Sequence, residues 1–536
     1  MNKKNIFLSA FLLTTLSISA QETYDNANIA TEDLNGTARY VGMGGAMEAL
    51  GADISTMSTN PAGIGLMRHA TAGFSASVIN QQDAENFDFA KKTKLSFDQL
   101  GFVYAHPTGR GSYLNFGFNY RKSRNFSNIL RAASKMNGAS LNKLSYAKGY
   151  EGVFEPDMSN DNEVIGYEGS SDNASYAFTQ LDYLLYNAIL HEEDQEGDLY
   201  FYNDASDFAL DRGTKGYIGE YDFNISGNIH DRVFLGLTIG VKDVNYRHYG
   251  LYTETLVDGM GASVGPVSIG DDRRIDGQGF DIKAGIIFRP VETSPFRIGL
   301  YVNTPTWYDL TTENYTTLDN RSQVGLYDSG KSEEVYDFKM YTPWKFGVSL
   351  GHTIGSSLAL GATYEFADYS SVDSRVITGS SYDWYYDSYV DDSDHDVAMN
   401  DHTSRTLKGV STLKLGAEYR PDNDIYVRFG YNYVSPMYKM EGYKDGTLIS
   451  PGSYYASTAD FTNWKATNRF TCGLGYNVGK LSLDLAYQYS VQNGEFSPFM
   501  SYTAPGGATD ITDNIAPCVE VSNKRHQLLL SMTYHF

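Results

Sequence analysis

The sequence predicts an all-β fold, a 14-stranded antiparallel transmembrane β-barrel, and three observations predict it. The last eleven residues, His526 to Phe536, alternate Leu528, Leu530, Met532, Tyr534 and Phe536 against Gln527, Ser531, Thr533 and His535. One face suits lipid and the other a wet lumen, the two-residue rhythm of a membrane-crossing strand. The N-terminus carries an export signal, and no later apolar run approaches the roughly 18–20 residues that a spanning helix needs. The connections between strand-like segments also alternate short and long, as the turns and loops of bacterial barrels do.

Taken in order, Lys3 and Lys4 precede the apolar run Ile6 to Ile18 and then Ser19-Ala20-Gln21, so residues 1–20 read as a signal peptide cut after Ala20. Residues 21–69 are rich in Gly and Ala and lack strand rhythm. The barrel is expected over 70–536. Its strands read as Thr71–Asn80, Gln99–Ala105, Tyr113–Lys122, Tyr217–Ile229, Val233–Tyr246, Gly279–Arg289, Phe296–Thr304, Pro343–His352, Leu358–Ala367, Ser411–Arg420, Ile425–Tyr433, Arg469–Val478, Leu481–Tyr489 and His526–Phe536. Every even-to-odd connection is a turn such as His230-Asp-Arg232, Pro421-Asp-Asn-Asp424 or Gly479-Lys480, whereas the odd-to-even connections are long. A β-sandwich would not sort its loops by parity. Lys283, Lys345, Glu365, Lys414, Glu418, Arg428, Arg469 and Asp484 fall on the lumen-facing register, where they predict a charge lattice.

Composition narrows the function classes. The 43 Tyr, 28 Phe and 52 Gly suit interfacial aromatics and close strand packing. Two cysteines, Cys472 and Cys518, are too few for a disulfide-stapled scaffold, and no bridge between them is expected. The net charge of −23 becomes −25 when Lys3 and Lys4 leave with the signal, which excludes nucleic acid as a natural partner. Much of the acid sits in loops such as Glu192 to Asp198 and Asp391 to Asp396. The latter lacks the glycine and terminal glutamate of a dedicated Ca²⁺ loop, so no metal and no cofactor are expected. No Gly-x-Ser-x-Gly elbow stands out, and His526 and His535 lie on opposite strand faces, so the chain does not read as an enzyme. Within the long connection from Ser123 to Lys215, Phe178, Leu181, Leu184, Leu185 and Ile189 recur at helical spacing. Such a helix either packs onto the loop cluster or lines an apolar ligand groove.

The segment Gly36-Thr-Ala-Arg-Tyr-Val-Gly-Met-Gly-Gly-Ala46, then Ala52-Asp53, then Asn60-Pro-Ala-Gly-Ile-Gly65 resembles the N-terminus of the FadL/TodX family of long-chain fatty-acid and hydrophobic-compound transporters. Further matches lie at Gly279 to Gly285, Phe296 to Leu300, Leu415 to Tyr419 and Val427 to Tyr431. The resemblance implies an outer-membrane barrel of a Gram-negative bacterium, plugged by an N-terminal hatch at 21–69. Its apolar ligand would be captured outside and passed by passive diffusion through the hatch or sideways through the wall. It makes Asn60, Pro61 and Ala62 a latch, with Gly42, Gly44 and Gly45 as hatch glycines. It places a cation for the ligand carboxylate near the outer end of the fifth strand, where Arg247 lies with Lys242 below it.

The implied surroundings are outer-membrane lipid and lipopolysaccharide, a hydrophobic small-molecule ligand, and the barrel-assembly machinery, for which Tyr534 and Phe536 are the insertion signal. The rival reading is a surface barrel that binds haem or serves as a partner or secretion adaptor. Its acidic, Tyr-rich loops, such as Tyr382 to Tyr389, would carry that role.

Overall fold

The computed structural model describes residues 22–153, 178–194, 197–325, 328–384, 388–421 and 424–536. Residues 1–20, expected to be a signal peptide, the turn residue Asp422 and parts of the loops at 192–198 and 382–389 lie outside them. All fourteen expected strands form: β1 Thr71–Gln81, β2 Thr93–Gly109, β3 Ser112–Asn125, β4 Asp204–Ile229, β5 Val233–Val257, β6 Ser263–Phe288, β7 Arg297–Asn303, β8 Lys345–Ile354, β9 Leu358–Asp368, β10 Gly409–Tyr419, β11 Ile425–Val434, β12 Phe461–Val478, β13 Leu481–Ser497 and β14 Val519–His535. Each pairs antiparallel with the next, and β14 pairs with β1 from Thr71 opposite His535 to Gln81 opposite Arg525, which closes the barrel. Each of the fourteen described barrel strands thus has a partner on both sides, the closure a bilayer requires.

The alternation sorts faces as the sequence requires. On β5 Leu235, Leu237, Ile239 and Val241 are exposed while Thr238 and Lys242 are buried inside. On β14 Leu528, Leu530, Met532, Tyr534 and Phe536 point outward, and the Phe536 N–H donates to Ala70 O at 2.9 Å, pinning the C-terminus to the start of β1. Cys472 and Cys518 are free and exposed.

One end carries only short turns, with His230 and Asp231 both at positive φ (52° and 54°), the geometry that matches the twist of a two-strand hairpin. The other end departs from expectation. The predicted loop between Tyr246 and Gly279 is mostly strand, because β5 and β6 run on as a hairpin that turns only at 258–262. Beyond Val241 the outward positions become Asp243, Asn245 and Arg247, so the apolar signal stops while backbone pairing continues. A strand of 25 residues rises about 80 Å, against an apolar band of about 25 Å on such barrels. Where β7 ends, the hairpin Trp307–Asn320/Ser329–Tyr341 takes over as partner of the upper half of β6. A further hairpin, Asp373–Asp383/Ser388–His395, joins it through Lys339 opposite Arg375.

Residues 22–70 fill the lumen. They form α1 Thr23–Ala30, α2 Ala38–Gly42 and two 3₁₀ turns, Ile54–Ser58 and Pro61–Leu66. Among the described residues, α-helical pieces of the long-loop end are α3 Leu141–Tyr150, α4 Gln180–Leu185, which widens into a π turn at Tyr186–Leu190, and α5 Val397–Thr406.

Candidate functional site

The segment Asn60-Pro61-Ala62 sits against the inner wall of β5, β6 and β7. The Asn60 side chain caps the following turn, accepting from the Ala62 N–H at 3.2 Å, and donates through Nδ2 to Glu48 O at 3.0 Å. Proline at the first position of that turn lacks the N–H that would go unmet there. Ser226 Oγ donates to Pro61 O at 2.9 Å, and Asn115 Nδ2 donates to Ile64 O and Met67 O at 2.6 and 2.9 Å. Gly44 and Gly45 hold positive φ (63° and 80°), and a Cβ on Gly44 would fall 2.8 Å from Tyr431 N. At Gly42 the spacing is ordinary, 3.4 Å to Gly473 Cα.

Charge joins hatch to wall. Glu32 reaches Lys242 (3.0 Å), Lys345 (3.2 Å) and Arg121 (3.3 Å), Glu48 reaches Lys414 (2.9 Å), and Arg39 grips Glu418. Burial pushes the Glu32 carboxyl up, but Lys345, Lys242 and Arg121 together hold it well below the usual carboxylate range. Lys242, also 3.2 Å from Asp281, is thus committed to the hatch seam.

Two cavities lie above. A small apolar pocket at the long-loop end is lined by Leu141, Leu144, Leu181, Met399, Leu448 and Met500. Below it a cavity of about 320 Å³ lies between the hatch and the barrel wall, and the two share Glu22, Tyr24 and Thr458 as lining. Arg124, Arg469 and Arg525 meet one another in the lower cavity around a single carboxylate, Asp33. Arg124 is 3.1 Å from Asp33 and 2.8 Å from Asn28 Oδ1, with its Nε buried and unpartnered. Arg469 donates to Asn432 Oδ1 at 2.9 Å and lies 3.7 Å from Asp33. Arg525 donates to Asn523 Oδ1 at 3.2 Å and has no carboxylate within ion-pair reach among the described residues. Burial raises the Asp33 carboxyl, yet Arg124, Arg525 and Arg469 hold it below its ordinary value.

Arg247, expected to meet a ligand carboxylate, lies instead on the outward register of β5. It pairs with Asp272 at 2.6 Å and stacks over Phe89, and it lines neither cavity. Its neighbour His248 faces inward, so the position was one residue out of phase. The five apolar residues at 178–189 are all buried, but they divide. Leu184, Leu185 and Ile189 fill the loop core with Leu130, Phe208 and Phe499, while Phe178 packs with Tyr186 and Leu190. Of the five only Leu181 lines the apolar pocket.

Two of the three arginines escaped the sequence reading. Extending the β14 alternation one step before His526 would have placed Arg525 with Gln527 in the lumen. Arg124 has no such signal, because the β3 register slips between Lys122 and Arg124 and turns the side chain inward.

No family model matches the chain, and no curated relative matches it. Solved structures similar to it include the Ralstonia pickettii toluene transporter TbuX, 14% identical over 94% of this chain and 99% of that one, with a TM-score of 0.47. A Pseudomonas aeruginosa FadL homologue and the P. putida toluene transporter TodX are each 12% identical, with the same coverage and TM-scores of 0.49. The fold is a plugged fourteen-stranded β-barrel. Strand pairing closes that barrel, and the hatch contacts of Asn60, Glu32, Arg39 and Glu48 plug it.

Proposed function

We propose that the protein is an outer-membrane channel of the FadL/TodX type for uptake of hydrophobic small molecules, its short turns periplasmic and its long loops extracellular. Its preferred cargo is a single-chain amphiphile with an anionic head, such as a long-chain fatty acid. One observation carries the reading: an apolar pocket under the loops adjoins, across Glu22, Tyr24 and Thr458, a cavity lined by Arg124, Arg469 and Arg525 with Asp33 as the carboxylate among them. An exposed methylene costs on the order of 0.8 kcal/mol, so the tail favours the apolar pocket. A carboxylate favours the guanidiniums, which bind it in a planar fork. A neutral hydrocarbon gains nothing from them. Onward passage runs by the Asn60-Pro61-Ala62 latch or sideways through the wall.

The test is uptake of a labelled long-chain fatty acid and of a neutral aromatic, in cells where this barrel is the sole such channel and its surface level is matched. Arg525→Gln lowers fatty-acid uptake about tenfold and spares the aromatic, while Arg247→Ala changes neither. If wild-type cells take up neither solute faster than cells lacking the barrel, the transport reading fails and the surface-partner reading takes its place.

A further inference from the structure

A second arginine cluster lies below the hatch. At the short-turn end a cavity of about 470 Å³ opens between the underside of the hatch and the turns, and Arg39, Arg68, Arg289, Arg297 and Arg420 line it. Among the described residues its acids are Asp231 and Glu418, in a chain with 65 acidic and 42 basic residues. Both acids are already engaged, Asp231 by Arg68 at 2.8 Å and Glu418 by Arg39 and Arg428.

Among the described residues Arg289 and Arg297 hydrogen-bond only to backbone carbonyls. Arg289 donates to Ser294 O and Glu292 O at 2.7 and 2.6 Å, and Arg297 donates to Leu50 O at 2.9 Å while its Nε is buried and unpartnered. Arg297 also faces both Arg289 and Arg68, and Asp231, the acid that opposes them, is already held by Arg68. Carbonyls orient a guanidinium but leave its charge uncompensated, and adjacent like charges are repulsive unless an anion enters. Leu50, Leu66, Phe234 and Leu358 supply apolar wall beside them.

We propose that this vestibule is an anion-binding station for the oxyanion head of a single-chain or lipid amphiphile, with Arg289 and Arg297 as its principal ligands. It stands independently of the luminal arginines and of the uptake reading. An amphiphile here sits on the far side of the hatch from Arg525, against an apolar wall that accepts the first methylenes of its tail.

Ser356, in the turn that borders the cavity, supplies a local probe. In full-length protein lacking Cys472 and Cys518, Ser356→Cys is labelled with a maleimide in neutral detergent, with and without decanoate. Decanoate slows labelling and decanol does not. Arg289→Gln with Arg297→Gln raises the decanoate needed for protection at least about tenfold, and the corresponding pair of lysine substitutions restores part of it. Heat-modifiability shows that each variant is folded.

Nanodiscs separate the sources of the anion. Protection by phosphatidylglycerol over phosphatidylcholine without added decanoate identifies a lipid head, and protection by decanoate alone identifies a soluble amphiphile. Equal protection of the glutamine pair, or equal protection by decanol, overturns the proposal whatever the uptake assay shows.

Discussion

The Asn60 Oδ1 atom occupies the space a side chain on Gly285 would need: a Cβ built on Gly285 falls 1.9 Å from it. The same holds along the seam. Cβ atoms on Gly236, Gly361, Gly416 and Gly430 would strike Pro61, Ala46, Met43 and Gly44 at 1.9–2.4 Å. Gly361, Gly416 and Gly430 are cross-strand neighbours, so β9, β10 and β11 present a strip of bare backbone on which the hatch lies. The hatch is held by fit to the wall as much as by its ion pairs.

Gly285→Ala therefore disturbs the hatch before it disturbs the barrel. The variant is expected to stay heat-modifiable while admitting a small hydrophilic antibiotic faster than wild type. Asn60→Ala alone removes the bond to Glu48 O, a loss of about 1–3 kcal/mol for a buried acceptor left unmet. Gly285→Ala should then cost less in the Asn60→Ala background than in wild type, because the colliding atom is gone. Additive costs in thermal melts would show that the two residues are not in contact.

The loop helix separates packing from capture. Leu184 is 2% exposed inside the loop core, so Leu184→Ala should lower stability by about 2–5 kcal/mol. Ala459 borders the apolar pocket and is only partly buried. Ala459→Trp should leave the melting transition near wild type and reduce capture of a fluorescent fatty acid several-fold. Unchanged capture would remove this pocket from the route.

The proposed orientation predicts which ends are reachable. With the native cysteines removed, Asp392→Cys should react with an impermeant maleimide on intact cells, and Ser356→Cys only after the outer membrane is opened. Both positions are exposed, so access and not burial decides the outcome. Equal labelling on intact cells would reverse or abolish the assigned topology.

Strand existence was legible because Leu235-Leu237-Ile239-Val241 and Leu528-Leu530-Met532 each contrast lipid with lumen at every step. Strand length was not, since Asp243, Asn245 and Arg247 sit in water on one side and the contrast disappears although β5 continues. The luminal charges Lys345 and Lys414 were legible by parity alone. Their hatch partners Glu32 and Glu48 were not, because long-range pairing between an irregular segment and a wall leaves no period in the sequence. Arg124 shows the third limit: one bulge reverses a face, and nothing in Arg121-Lys-Ser-Arg-Asn125 announces it.

At the top of the hatch, α1 meets α5. Thr23 Oγ1 lies 2.7 Å from His402 Nδ1, and His402 Nε2 lies 2.9 Å from Tyr443 O. A carbonyl only accepts, so Nε2 carries the proton and Nδ1 accepts from Thr23 in the neutral ring. Burial lowers the His402 pKa below its ordinary 6.5, with Arg405 and Lys444 adding to it and the Tyr443 carbonyl and Asp445 opposing. The native contact binds a proton less readily than the released ring, so its stability is complete above about pH 6.5 and declines as pH falls through the lowered native value. Amide exchange across residues 22–30 should therefore quicken between about pH 7.5 and 5. His402→Gln keeps one acceptor and one donor without titrating in this range, and should flatten that dependence. If wild type and variant quicken alike once intrinsic exchange is corrected for, acidic groups elsewhere in the hatch govern its release and His402 does not.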